Sequence, residues 1–220
     1  MSSNGCTVVA VTAATDTTGR APRGQGDLLR ERLVDAAVAM LDDCGDPAQL
    51  SIRAVTKRAG VSPTAFYLHF DTRDELLRAM VDRCFTEFRD AVRAGAATAR
   101  DPAGRLAQAG LAYTAFARRW PARYALNFVF VEPAEGTAPD KPGAADDSFN
   151  DLVALVLEYL GPDDPRRADV ELLARGIWSG LHGYVSLSQT RAGKGWPSEE
   201  EFVPRLAHAW LGEPRPASGD

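Results

Sequence analysis

The sequence predicts an all-α protein of about nine helices, and three observations carry that expectation. Apolar residues recur at three- and four-residue spacing along most of the chain, whereas no stretch alternates apolar and polar residues over strand length. Ser, Thr or Asp repeatedly stands just before such a stretch, with Gly or Pro where it ends. With 220 residues and 45% hydrophobic content, the chain can bury one large core or two modest ones.

Taken in order, residues 1–26 are rich in Ser, Thr, Ala and Gly and read as a disordered tail. Asp27 caps a first helix with the stripe Leu29, Leu33, Val34, Ala37 and Leu41, ending near Gly45. Ser51 caps a short second helix carrying Ile52, Val55 and Ala59, and Gly60 stops it. Ser62 caps a third, with Pro63 in the first-turn position that tolerates a missing N–H. Asp71 or Thr72 opens a long fourth helix carrying Leu76, Met80, Cys84, Phe85 and Phe88. Asp101 and Pro102 open a fifth that runs to about Trp120, and Pro121 begins a sixth that reaches Val131.

Glu132 to Asp147 is rich in Pro, Gly and acids and reads as a loop. Helices resume at Ser148 to Leu160, at Pro165 to about Gln189, and at Ser198 to Leu211, where three glutamates favour the positive end of the helix dipole. The expected organisation is a tail over 1–26, a three-helix unit over 27–72, a larger helical domain over 73–213 and a second tail over 214–220.

Several function classes fall away. No apolar run approaches the roughly 20 residues that cross a bilayer, and the start lacks the basic-then-apolar pattern of a secretory signal, so the cytoplasm is the expected address. Cys6, Cys44 and Cys84 are odd in number, widely spaced and without a CxxC pair, which suggests neither a disulfide framework nor a zinc site. Cys44 and Cys84 read as small core residues. There is no Glu-x-x-His pair, Gly-x-Ser-x-Gly elbow or phosphate-binding loop, so an enzyme is not expected, and neither a cofactor nor a metal.

Net charge is −5 overall, yet Ser51 to Arg73 carries +3, with Arg53, Lys57, Arg58 and Arg73 against Asp71. A basic patch in an acidic molecule suits a phosphate backbone. In the same stretch, "AGVS" places a left-handed Gly and a Ser cap three residues apart, the corner expected between two short helices at a steep angle. Ile52, Val55, Ala59, Val61, Phe66 and Phe70 would pack on the first helix. That leaves Ser62, Pro63, Thr64, Ala65 and Tyr67 outward on the third, small enough for its backbone to approach a surface. Thr64 can bond a base edge, and Thr64 or Ala65 can touch a thymine methyl. Tyr67 and His69 can donate to phosphates, flanked by Ser51, Arg53, Lys57 and Arg73. Arg20 and Arg23, just before the first helix, can enter a neighbouring minor groove.

"GVSPTAFYLHFDTRDELLRAM", Gly60 to Met80, resembles the recognition segment of the TetR family of transcriptional regulators. Ala59, Gly60, Val61, Ser62, Phe66, Tyr67, His69, Phe70, Arg73, Asp74, Glu75 and Leu76 match that pattern as they stand. Thr56 stands where an Ala is common, and Asp71 replaces a more usual basic corner. The resemblance implies a helix-turn-helix followed by a domain that binds a small-molecule effector and forms a homodimer on a palindromic operator in double-stranded DNA, without membrane association.

In the carboxy-terminal half, Phe116, Trp120, Tyr124, Phe128, Phe130 and Phe149 supply aromatic side chains for an apolar cavity, with Tyr113, Arg123 and Asn127 as polar partners. "GIWSGLHGYVSL" holds Trp178 four positions before His182, similar to a Trp-x-x-x-His-Gly element in one branch of TetR-like domains. Trp178 and His182 join the candidate ligand set. A lone His without partners at ligand spacing does not suggest a metal. The small face of Gly176, Ser179, Gly180 and Gly183 predicts a close helix contact. Ile177, Leu181, Tyr184, Phe202, Leu206 and Trp210 offer apolar surface for pairing two copies into a four-helix bundle. The expected function is a repressor released by a small hydrophobic or amphipathic ligand, against the alternative of a helical ligand- or protein-binding module without specific DNA binding.

Overall fold

A computed structural model describes residues 25–129, 143–191 and 194–213. Among them are nine α-helices, two 3-10 turns and no strand. The 132–142 part of the expected loop, Phe130 and the tail arginines lie outside the described residues.

The helices are α1 (Gln25–Cys44), α2 (Ile52–Ala59), α3 (Pro63–Phe66), α4 (Arg73–Ala96), α5 (Pro102–Arg119), α6 (Pro121–Val129), α7 (Ala144–Leu160), α8 (Val170–Thr190) and α9 (Glu199–Leu211). Most start where a capping side chain was expected. Ser51, Ser62, Thr72, Asp101 and Ser198 each accept a hydrogen bond from the backbone N–H three residues on.

Three boundaries differ from expectation. α1 begins at Gln25, so Asp27 sits in its first turn rather than capping it. α7 begins at Ala144 rather than Ser148. Asp146 Oδ2 accepts from the Gly143 N–H at 3.2 Å, so acids read as loop residues instead stabilise a helix start. Pro165–Asp169 is a 3-10 turn capped by Asp164, and only from Val170 does α8 proceed as an α-helix.

Two buried clusters organise the fold. The first joins α1, α2 and α3 to the start of α4, with Phe66, Phe70, Leu76 and Met80 at its centre. The second joins the end of α4 to α5, α7, α8 and α9. α4 belongs to both, placing Cys84 in one and Phe85 and Phe88 in the other. So does the short α6, which gives Leu126 to the first and Tyr124 to the second.

α9 lies close on α8. A Cβ at Gly176 would stand 2.6 Å from the Trp210 ring and one at Gly180 2.5 Å from a Leu206 methyl. The Gly176 and Gly180 part of the small-residue face therefore admits a helix of the same chain, whereas a Cβ at Gly183 would meet nothing within 4 Å and Ser179 is exposed. This corrects the reason for expecting Ile177, Leu181 and Tyr184 at a dimer interface, because the chain buries all three by itself.

Candidate nucleic-acid interface and ligand cavity

The corner between α2 and α3 is built from backbone bonds. Gly60 adopts φ 68° and ψ 35°, its N–H donates to the Lys57 carbonyl at 3.2 Å, and the Val61 N–H donates to Thr56 at 3.0 Å. Arg32 Nη2 reaches from α1 to the Ala59 carbonyl at 2.7 Å and ties the end of α2 down. Thr56 is buried without penalty because its hydroxyl donates to the Arg53 carbonyl at 3.1 Å.

Phe66 and Phe70 are buried as expected, which turns the rest of the α3 segment outward. Ser62, Pro63, Thr64 and Tyr67 are exposed, Ala65 and His69 half-buried. Ser51, Arg53 and Lys57 are exposed on the flanking elements. Leu68, 75% exposed, lies between Tyr67 and His69, and an apolar side chain beside a buried run carries no sequence signal of that exposure.

Arg73 is placed differently from the rest. Its Nε donates to the Leu50 carbonyl at 2.7 Å and its Nη2 to Pro47, so the guanidinium braces the loop before α2. Glu75 Oε2 accepts from the Asp71 N–H at 2.8 Å, one residue before the cap, while Thr72 Oγ1 accepts from the Glu75 N–H, and the two bonds fix the entry into α4.

Between α4, α5, α6, α7, α8 and α9 is a cavity of about 550 Å³, in the range of small-molecule sites. Of the expected ligand residues, Tyr113, Phe128, Phe149, Trp178 and His182 line it. Phe116, Trp120 and Tyr124 do not. Phe116 packs edge-on against Phe88, and Trp120 stacks under the Arg123 guanidinium at 4.2 Å. Tyr124 stands behind the wall, its hydroxyl 2.8 Å from that of Tyr113 and 2.7 Å from His182 Nδ1. Phe85 and Phe88 of α4 also line the cavity, although their helical spacing read only as core. Ile177, Leu181 and Leu206, expected at a dimer interface, line it too, while Phe202 stacks on Tyr184 inside the chain.

Asn127 lines the cavity as a buried side chain whose amide nitrogen and oxygen both lack a hydrogen-bond partner. Arg123, expected beside it, instead holds Asp42 of α1 and Glu87 of α4. Burial pushes the Tyr124 hydroxyl up to about 12 and raises Tyr113 further, so both stay protonated. Burial lowers the His182 imidazole, favouring its neutral form. Among the described residues no group of three His, Cys, Asp or Glu side chains is placed to hold a metal ion, and no helix is long and apolar enough to cross a membrane.

A helix-turn-helix joined through a long helix to an all-helical domain with an apolar cavity defines a class of DNA-binding transcriptional regulators. Residues 33–80 match the family model for bacterial regulatory proteins of the tetR family, and residues 106–209 that for the tetracyclin repressor-like C-terminal domain. An uncharacterized HTH-type transcriptional regulator of Mycobacterium tuberculosis is 32% identical over 166 residues, 74% of this chain and 71% of that one. A Rhodococcus sp. RHA1 protein of unknown function has a similar structure, with a TM-score of 0.66 at 26% identity over 85% of this chain and 96% of that one. A TetR family transcription regulator from Marinobacter aquaeolei VT8 shares the fold, with a TM-score of 0.61 at 17% identity over 86% and 97% of the two chains. The chain belongs to the TetR family of transcriptional regulators.

Proposed function

We propose that the protein is a cytoplasmic homodimeric repressor, which binds a palindromic operator in double-stranded DNA and leaves it when a small hydrophobic or amphipathic molecule occupies the cavity. The observation that carries this reading is the placement of α6. Within nine residues it puts Leu126 into the helix-turn-helix core and Asn127 and Phe128 on the cavity wall. A ligand that moves the wall therefore moves a helix packed under the reading head. α4 provides a second link, since its start closes the reading head and Phe85 and Phe88 line the cavity. A ligand that binds better to the form with displaced reading heads shifts the population off DNA.

On the DNA side, Ser62, Pro63, Thr64 and Ala65 would lie against the major groove, with Thr64 and Ala65 at base edges. Tyr67, His69, Ser51, Arg53 and Lys57 would contact the phosphates. Arg73 acts in this reading through the loop that it braces. Two copies would pair through the outward stripe of α8, where Leu172, Ser179, Gly183 and Leu187 follow one another at helical spacing, together with the exposed Trp210 of α9. A short recognition helix reads only a few base pairs, so two-fold copies are needed for an operator.

The test is selection of bound sequences from a random duplex library at two salt concentrations. An enriched palindrome is the expected result. Weak, salt-sensitive binding without enrichment would replace this reading by a ligand- or protein-binding module without specific DNA recognition. A cavity ligand that leaves operator affinity unchanged would remove the effector part alone.

A further inference from the structure

The polar groups of the cavity specify more than an apolar guest. Asn127 is 3% exposed, and both its Oδ1 and its Nδ2 are buried without a partner. A buried carboxamide with no protein partner gains hydrogen bonds when a matching group arrives. The amide offers one acceptor and one donor side by side. Its natural complement is another donor–acceptor group.

His182 adds a donor whose direction follows from its partner. Tyr124 Oη stands 2.7 Å from His182 Nδ1. A phenol is the better donor of that pair and an imidazole nitrogen the better acceptor, so the proton stays on Tyr124. The Tyr124 oxygen in turn accepts from Tyr113 at 2.8 Å. His182 is thereby held in the tautomer with Nδ1 as acceptor and Nε2–H as donor, on a residue that lines the cavity.

Charge is nearly absent from the wall. Asp146 and Arg175 are the charged lining residues, one of each sign. Asp146 accepts from the Gly143 N–H, and Arg175 is paired with Glu171 at 2.9 Å and lies over the Phe149 ring at 5.0 Å. A carboxylate buried here would lose its hydration and could be met only by Arg175, whose guanidinium is already engaged by Glu171 and the Phe149 ring.

We infer that the cavity selects an uncharged amphiphile, an apolar body ending in a group that both donates and accepts hydrogen bonds at Asn127 and accepts from His182, with a primary carboxamide as its simplest form. The inference rests on the effector-cavity reading above and narrows it to a chemical class. Octanamide and octanoate, which share one alkyl chain, separate neutral from anionic heads. Nile red, an uncharged apolar dye, reports whether the cavity takes any guest.

Binding of all three to the full chain without DNA can be followed by calorimetry and by intrinsic tryptophan fluorescence, to which Trp178 on the cavity wall contributes. Wild type should bind octanamide at least about tenfold more tightly than octanoate. In Asn127→Leu that preference should collapse while Nile red still binds, and His182→Phe should weaken octanamide binding by a smaller factor. Octanoate binding as tightly as octanamide, or both variants binding octanamide as wild type does, would overturn the inference. Nile red binding with neither octanamide nor octanoate would overturn it as well. Failure of all three, dye included, would instead remove the effector-cavity reading beneath it.

Discussion

Gly60 is the residue at which sequence and geometry meet most directly. Its φ of 68° lies in the left-handed region, and a Cβ there would meet only Arg32 Nη2, at 3.8 Å. The cost of a side chain is therefore backbone strain rather than a clash. Gly60→Ala should lower unfolding free energy by about 1 kcal/mol, measured by denaturant titration. Arg73 makes the complementary case. Two carbonyls of the preceding loop depend on it, so Arg73→Ala should cost about 1–3 kcal/mol and should weaken operator binding at every sequence alike through the loosened corner. A variant that keeps wild-type stability but loses affinity would assign Arg73 to direct phosphate contact instead.

Asp151 gives a pH prediction at the same scale. Burial alone would raise its carboxyl, but hydrogen bonds and charge from Arg89 and Arg93 outweigh it and hold the group below the usual carboxylate range. The stabilisation is fully present above the ordinary value of about 4 and is lost as pH falls from there through the depressed folded value. Asp151→Asn should thus be less stable than wild type by about 1–2 kcal/mol near neutral pH, with the difference shrinking in acid. Chemical denaturation at pH 7 and pH 3 reads both arms.

At the scale of elements, α8 and α9 approach each other through glycine. Gly180→Leu would drive a side chain into Leu206, and the resulting repacking should cost about 1–3 kcal/mol in a thermal melt. Local chemistry made much of this legible in advance. The caps at Ser51, Ser62 and Thr72 and the stop at Gly60 are interactions within a few residues, so their signal lies in short words of sequence. Periodicity marked Ile177, Leu181 and Tyr184 as apolar, but spacing cannot say whether such a face is covered by the same chain or by another. The Ala144 start of α7 was hidden because acids that open a helix and acids that solvate a loop look alike until a backbone N–H is placed beside them.

At the scale of the whole molecule, the feature least visible in sequence is the bridge made by Arg123. Its partners lie 81 and 36 positions away, beyond any local pattern. The guanidinium is held charged by Asp42, with Glu87 adding to it, and joins α6 to α1 and α4. Arg123→Met would leave two carboxylates facing each other and should cost about 2–4 kcal/mol. If α6 couples the halves, ligand should also shift operator affinity less in this variant than in wild type, as a titration at fixed ligand would measure. Equal shifts would place the coupling in α4 alone.

Cys84 gives the junction between the halves a clock. Its side chain is wholly buried on α4, and burial, aided by the nearby Glu87, pushes the thiol up to about 12. A thiol reagent can reach it only when α4 parts from its neighbours and the thiol ionises, whereas the half-buried Cys44 samples milder openings. The labelling rate at Cys84 therefore counts openings of α4 from its neighbours in the unmodified protein. A slower or faster count with operator or effector present would show which of them holds the junction shut.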